Sequence, residues 1–116
     1  MFVGCLLAGS AVIVKANGRY LKTRVKNVYR STNQFRAIGH RGVLSRRDAV
    51  LDETPDPAKL TPKTWVLGKN IGSGSFQKGI IERKDGAKYL IKTKGVTWAS
   101  DLNDVRLDKS PEFCLL

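Results

Sequence analysis

The sequence predicts an all-β protein in which two small barrels follow one another along the chain. Two observations support this fold class: short runs of alternating polar and apolar residues, and glycine-containing turns between these runs. A third is a weak internal repeat, since the order of turns, aromatic residues and apolar residues in the first half recurs in the second. No run has the period of an amphipathic helix, so we expect no helix of useful length.

The first half begins with an apolar, β-branched run at Ser10–Lys15, which favours a buried strand. Asn17-Gly18 is typical of a tight hairpin turn, because both residue types accept a positive φ. The long strand predicted next, Arg19–Tyr29, has period-two alternation. The alternation places two sets of side chains on opposite faces: Leu21, Thr23, Val25 and Tyr29 on one, and Tyr20, Lys22, Arg24 and Lys26 on the other. Shorter strands are predicted at Gln34–Ile38, Val43-Leu44 and Ala49–Leu51.

The second half repeats this pattern after an opening strand at Trp65–Asn70. A strand at Phe76–Arg83 precedes a turn at Lys84-Asp85-Gly86, and Lys88–Thr93 precedes a turn at Lys94-Gly95. Two further short strands complete the copy, at Val96–Ala99 and Asp104–Leu107. A 3₁₀ turn is predicted between them, at Ser100–Asp104. Strands this short, joined this tightly, suit SH3-like or Tudor-like barrels.

The distribution of prolines divides the chain into four parts. We predict a first repeat at residues 1–52, a connector at 53–64, a second repeat at 65–108 and a tail at 109–116. The connector carries Pro55, Pro57 and Pro62, and proline removes a backbone donor and fixes φ, which excludes the interior of a sheet.

The charge of the chain indicates a polyanionic partner. Its 116 residues carry a formal net charge of +11, and ten Lys and Arg residues precede the first carboxylate at Asp48. Such an excess favours nucleic acid first and an anionic membrane surface second. Because no helix is predicted to enter the major groove, we expect phosphate contacts with duplex DNA and little reading of base sequence.

The predicted DNA contacts are basic residues on the strands and turns of both copies. The full set is Arg19, Lys22, Arg24, Lys26, Arg30, Lys78, Arg83, Lys84, Lys88, Lys92 and Lys94. A solvated sheet face is the alternative, although such a face normally includes carboxylates as well.

Other functional classes find little support. The single histidine, His40, has no nucleophile and acid to work with and is interpreted as a surface loop residue, so we expect no enzyme, cofactor or metal site. Gly72–Ser75 resembles a phosphate loop, but a strand follows it where such a loop requires a helix. The apolar run at residues 1–14 is too short to span a bilayer. Cys5 and Cys114 are interpreted as reduced thiols of a monomeric, nuclear protein, with a disulfide as the alternative.

Aromatic residues raise a second function, recognition of methylated lysine by a cation–π cage. The cage candidates are Tyr20, Phe76 and Trp98. The competing interpretation is that Phe35, Phe76 and Tyr89 pack the barrel cores. Lys92-Thr93-Lys94 stands where a cage would need carboxylates, which argues against a cation ligand.

The spacing of these residues resembles the N-terminal double Tudor of the retinoblastoma-binding protein one family, chromatin proteins with an AT-rich interaction domain. The resemblance rests on Gly74-Ser75-Phe76-Gln77, Ile80-Ile81 and Tyr89 in the second copy, and on Gly18, Tyr20 and Arg24-Val25-Lys26 in the first. It implies an interdigitated, or hybrid, double Tudor in which the two repeats exchange long strands. It also implies DNA binding without a working methyl-lysine cage, and association with histones or a histone-deacetylase corepressor complex.

A second resemblance is to the SH3-like, DNA-binding C-terminal domain of retroelement integrases. It rests on the order of Phe76, Gly79, Ile81, Tyr89, Trp98 and Val105-Arg106. It would explain the second copy alone. Three functions therefore remain open at this point: DNA binding, a histone or protein reader, and a structural part of a ribonucleoprotein that prefers RNA.

Overall fold

The computed structural model describes residues 5–70 and 72–115. In these ranges it contains twelve β-strands and four three-residue 3₁₀ turns, and no α-helix. The prediction of an all-β protein is therefore confirmed. Residues 1–4, the start of the apolar N-terminal run, lie outside the described residues.

The chain divides into two compact units. The first holds residues 5–53 and 110–115, and the second is Thr54–Lys109. The first unit begins with β1 (Cys5–Leu6), β2 (Ala11–Ala16), β3 (Arg19–Tyr29), β4 (Gln34–Ala37), β5 (Leu44–Ser45) and β6 (Ala49–Leu51). The second contains β7 (Trp65–Asn70), β8 (Ser75–Asp85), β9 (Lys88–Thr93), β10 (Val96–Asp101) and β11 (Val105–Leu107). The chain then returns to the first unit with β12 (Glu112–Phe113).

The residues after Lys109, predicted as a tail, belong to the first unit. β12 pairs in parallel with β1, with Leu6 opposite Phe113. A disulfide joins Cys5 to Cys114, with 4.9 Å between their Cα atoms. The prediction of two reduced thiols is therefore wrong, because sequence separation conceals that the fold brings positions 109 residues apart side by side.

Each five-stranded sheet is built from one repeat. In the first unit the strand order is β5-β4-β3-β2-β6, and in the second it is β10-β9-β8-β7-β11. The long strand β3 pairs with β2 and β4, and β8 pairs with β7 and β9. The exchange of long strands implied by the double Tudor resemblance is therefore wrong in the described residues. The resemblance implied the exchange and the length of Arg19–Tyr29 was consistent with it, whereas the tight hairpins that flank β3 and β8 favour local pairing.

The internal repeat extends to backbone detail. β3, the 3₁₀ turn at Arg46–Asp48 and β6 recur 56 residues later as β8, the turn at Leu102–Asp104 and β11. Both long strands contain a β-bulge at the same position, between Val25 and Asn27 in β3 and between Ile81 and Arg83 in β8. The extra residue, which has no partner across the ladder, is Lys26 in the first unit and Glu82 in the second.

In both units, the segment just before the sheet's first strand donates the same backbone hydrogen bond to the long strand. The Val25 carbonyl accepts from Gly9 N–H at 2.8 Å, and the Ile81 carbonyl accepts from Lys63 N–H at 2.8 Å. Gly9 and Lys63 both have a positive φ, of 95° and 72°.

Hairpin turns were predicted well: Asn17-Gly18 and Lys94-Gly95 both join their strands with two residues. The β8–β9 turn is Gly86-Ala87, one step beyond the prediction.

Each unit has its own apolar core. The first consists of Leu6, Val12, Val14, Val25, Phe35, Ala37 and Ala49. The second consists of Leu60, Val66, Ile81, Tyr89, Ile91, Trp98 and Val105. The predicted core positions of Phe35 and Tyr89 are therefore confirmed, and alternate residues of the strands supply most of both cores.

Candidate functional site

Several of the predicted DNA contacts are already engaged by carboxylates. Lys22 Nζ lies 3.7 Å from Asp52, Lys78 Nζ lies 3.1 Å from Asp108, and Lys88 Nζ lies 3.4 Å from Asp101. The first two pairs occupy equivalent places, since each joins the long strand to the residue after the last strand of its sheet. The three lysine side chains remain about half exposed, so each pair contributes little stability but reduces the local positive charge.

Two predicted arginines hold backbone in place. Arg24 Nη1 donates to the Gly9 carbonyl at 3.0 Å, and Arg30 Nη2 donates to the Cys114 carbonyl. Arg46, which was not predicted, donates to Asn33 Oδ1 at 2.7 Å and to the Pro111 carbonyl at 2.9 Å. Arginines that bind carbonyls near β1 and β12 are part of the first unit's structure, so we assign them no ligand.

Aromatic rings contact Lys78, which also pairs with Asp108, and one further predicted lysine, Lys84. Lys78 Nζ lies 5.2 Å from the centre of the Trp65 ring, and Lys84 Nζ lies 5.7 Å from that of Tyr89. Such contacts are worth about 0.5–1 kcal/mol at exposed sites. They fix the side chains along the sheet surface.

Five predicted contacts are exposed basic residues with no ion pair or hydrogen bond from their side chains in the described part of the chain. They are Arg19, Lys26, Arg83, Lys92 and Lys94. On β8 and β9 the outward positions include Arg83, opposite Leu90, and Lys92, opposite Ile80. Lys94 lies in the turn that follows, with a φ of 38°. These residues form the exposed basic set of the two sheets.

The predicted row of Lys22, Arg24 and Lys26 does not run straight. Lys22 and Arg24 line a cleft of about 370 Å³ together with Asp52, whose carboxylate already pairs with Lys22. The bulged residue, Lys26, lines a neighbouring cleft that shares Ile38 with the first. Period two assumes an unbroken ladder, so the sequence did not reveal the bulge.

The second cleft, named the bulge cleft, has a volume of about 260 Å³. Its lining residues are Lys26, Arg36, Ala37, Ile38, Gly39 and His40. Lys26 and Arg36 are exposed, His40 is half-buried, and no carboxylate lines the cleft. Sequence reasoning missed Arg36, although alternation with the buried Phe35 and Ala37 places it on the outer face of β4.

The aromatic cage finds no geometric support. Phe76 and Trp98 are only 7% and 8% exposed. The Arg106 guanidinium lies 5.9 Å from the centre of the Phe76 ring, and Trp98 belongs to the core of the second unit. Lys15 lies 5.8 Å from the Tyr20 ring, in the first unit. A methyl-lysine cage requires open aromatic faces, which Phe76 and Trp98 do not offer.

In the described ranges no group of three or more His, Cys, Asp and Glu residues is placed to hold a metal ion. Within the same ranges, no helix has the length and apolar character needed to cross a bilayer. A scan against protein-family models and a search of curated proteins found no match to the chain.

Proposed function

We propose that the chain is a pair of SH3-like or Tudor-like barrels without enzymatic activity that binds duplex DNA through its phosphates, with little sequence preference. The strand order supports the barrel type, since in each sheet the first long hairpin is flanked by the last strand on one side and by the third and fourth strands on the other. Because both sheets share this order, a tandem repeat accounts for the chain better than a single integrase-type domain does.

The observation that carries the function is the exposed basic set of Arg19, Lys26, Arg83, Lys92 and Lys94. These charges have no carboxylate to neutralise them in the described residues, whereas Lys22, Lys78 and Lys88 do. Both units carry an excess of base, with ten Lys and Arg against four Asp and Glu in the first and eleven against six in the second. Binding would release counterions from DNA and would weaken with salt.

Replacing basic side chains of the exposed basic set with neutral ones tests the proposal. We expect the variant Arg19→Gln, Arg83→Gln, Lys92→Gln to bind a random DNA duplex more weakly, and its plot of log affinity against log salt to be about 2–3 units less steep. Fluorescence anisotropy over a salt series measures both quantities. Lys26 is left unchanged, which keeps this test independent of the bulge cleft.

The control removes the same charge from residues outside the strands, as Lys59→Gln, Lys63→Asn, Lys109→Gln. Asn tolerates the positive φ of position 63. If the control weakens binding as much as the first variant, net charge and not the exposed basic set determines affinity. An affinity independent of salt would contradict the phosphate mechanism.

The disulfide favours a second candidate, binding of a sulfated polysaccharide. Disulfides persist in oxidising compartments, where nuclear DNA is absent, whereas the resemblance to chromatin proteins implied a nuclear setting. A sulfated chain offers the same regularly spaced anions to the exposed basic set. Competition between heparin and duplex DNA for the purified, disulfide-bonded chain at equal salt separates the two candidates, since the preferred polyanion displaces the other at lower charge concentration.

A further inference from the structure

The bulge cleft differs from the rest of the basic surface because it is concave and has no neutralising group. Lys26 enters it from the bulge of β3, and Arg36 enters from β4. His40 lines its third side, from the loop that follows β4. None of these three side chains makes a hydrogen bond or ion pair within the described residues. Three donors around a small depression suit an oxyanion, which accepts several hydrogen bonds at once.

The backbone around the cleft is built by two local features. The bulge places Lys26 outside the ladder, and Gly39, with a φ of 83°, turns the chain sharply after β4. His40 N–H donates to the Ala37 carbonyl at 3.2 Å, and Ile38 N–H donates to the Arg24 carbonyl at 3.0 Å, so the turn is anchored to both strands. The cleft is thus held in shape before any ligand binds.

The second unit has the same bulge with different residues around it. Its bulged residue is the acidic Glu82, and Leu90 stands where the first unit has Arg36. The loop of residues 38–43 between β4 and β5 is replaced by the two-residue turn Lys94-Gly95 between β9 and β10. The fold therefore does not require Lys26, Arg36 or the longer loop. Their presence together in one unit calls for a different explanation than folding.

We propose that the bulge cleft binds a single tetrahedral oxyanion, the phosphate or sulfate group of a larger ligand, between Lys26, Arg36 and His40. The inference rests on the proposed polyanion binding and assigns one anchoring point to it. Lys26 and Arg36 are the charged groups that line the cleft with His40. The imidazole of His40 supplies the third polar group around the anion.

Inorganic sulfate is the first probe, because it is the free form of one of the two proposed anionic groups. We expect NMR titration at constant ionic strength, with sulfate replacing chloride, to give saturable shifts of the amides of residues 38–40. The same titration with inorganic phosphate and then methyl phosphate distinguishes the two anions. His40→Ala removes one of the three polar side chains that line the cleft and should weaken sulfate binding as well.

Lys26→Glu and Arg36→Leu are the decisive variants, since each copies the residue of the second unit and leaves the bulge intact. We expect each to weaken sulfate binding by about tenfold or more. Lys59→Glu makes the same change of charge as Lys26→Glu at an exposed connector position and should leave the titration unchanged. Linear shifts without saturation, or equal loss in Lys59→Glu, would overturn the proposal.

These experiments distinguish a failure of the cleft proposal from a failure of the proposed polyanion binding. Duplex DNA binding without saturable sulfate shifts would refute the cleft alone. Saturable sulfate shifts without binding of DNA or heparin would refute the proposed function alone.

Discussion

Lys63 shows how one residue type distinguishes the two repeats at a backbone conformation they share. It has a φ of 72° and donates its N–H to the Ile81 carbonyl, as Gly9 does to Val25 in the first unit. Glycine adopts this conformation freely, whereas for other L-residues it costs about 1–2 kcal/mol. The second repeat therefore carries strain at a position where the first has none.

Lys63→Gly should raise the free energy of unfolding of the second unit by about 0.5–1 kcal/mol, since relief of strain exceeds the added entropy of the unfolded chain. Urea denaturation followed by tryptophan fluorescence measures this unit, because Trp65 and Trp98 both lie in it. Lys63→Ala retains the strain and serves as the control. A larger gain for Ala than for Gly would contradict the explanation.

Single residues also mark the limit of prediction from sequence. Asn17-Gly18 and Lys94-Gly95 were placed correctly, because few residue types accept two consecutive positive φ angles and the sequence displays them. The bulge at Lys26 was not predicted, because a bulge has no signature in a strand of alternating residues. The ion pair of Lys22 with Asp52 was equally hidden, since it depends on how β6 closes the sheet.

At the scale of strands, β8 and β9 approach closely where Gly79 faces the core. A Cβ at this position would lie 2.8 Å from Ile91 Cγ2 and 2.9 Å from the Lys92 carbonyl oxygen. The indole of Trp98 lies against the same place, with Cη2 at 3.3 Å. The missing side chain is what allows the tryptophan to pack on the sheet.

Gly79→Ala should lower the free energy of unfolding of the second unit by about 1–3 kcal/mol, because a carbonyl oxygen in the ladder cannot move aside without disturbing the β8–β9 pairing. Tryptophan fluorescence in urea again provides the measurement. Lys92→Ala, at an exposed position of β9, should change it by less than about 0.5 kcal/mol. Equal effects of the two substitutions would contradict close packing at Gly79.

The existence of the strands in both five-stranded sheets followed from patterns the sequence contains, namely hairpin glycines and alternation. The contacts that the long side chains of these strands make could not be predicted from those patterns. The exchange of strands was wrong, because a length of eleven residues fits a bulged strand paired locally as well as one shared between sheets. The bulge cleft depends on a bulge and a loop together, and the period-two alternation of residues predicts neither of them.

At the scale of the whole molecule, the chain leaves the first unit at Glu53 and returns to it at Ser110. The disulfide between Cys5 and Cys114 covalently closes this path, and Cys114 is buried. A cross-link between residues so far apart in sequence restricts the unfolded chain strongly. The basic charge of both units, by contrast, depends on composition and was predicted.

Cys5→Ser combined with Cys114→Ser should lower the free energy of unfolding of the first unit by about 2–4 kcal/mol. Amide hydrogen exchange of the core residues Val12 and Val14 measures this unit, and tryptophan fluorescence follows the second unit separately. We expect the second unit to change by less than the first. Unchanged exchange at Val12 and Val14 would show that the disulfide does not stabilise the first core.

The return of the chain to its first unit also sets an order for folding during synthesis. Thr54–Lys109 is one continuous segment, so it can complete its sheet as soon as it emerges from the ribosome. β1 must wait for β12, which is translated only after the whole of that segment. Of the two units, the one that begins first along the chain is therefore finished second, and Cys5 stays without its partner sulfur until Cys114 has been translated.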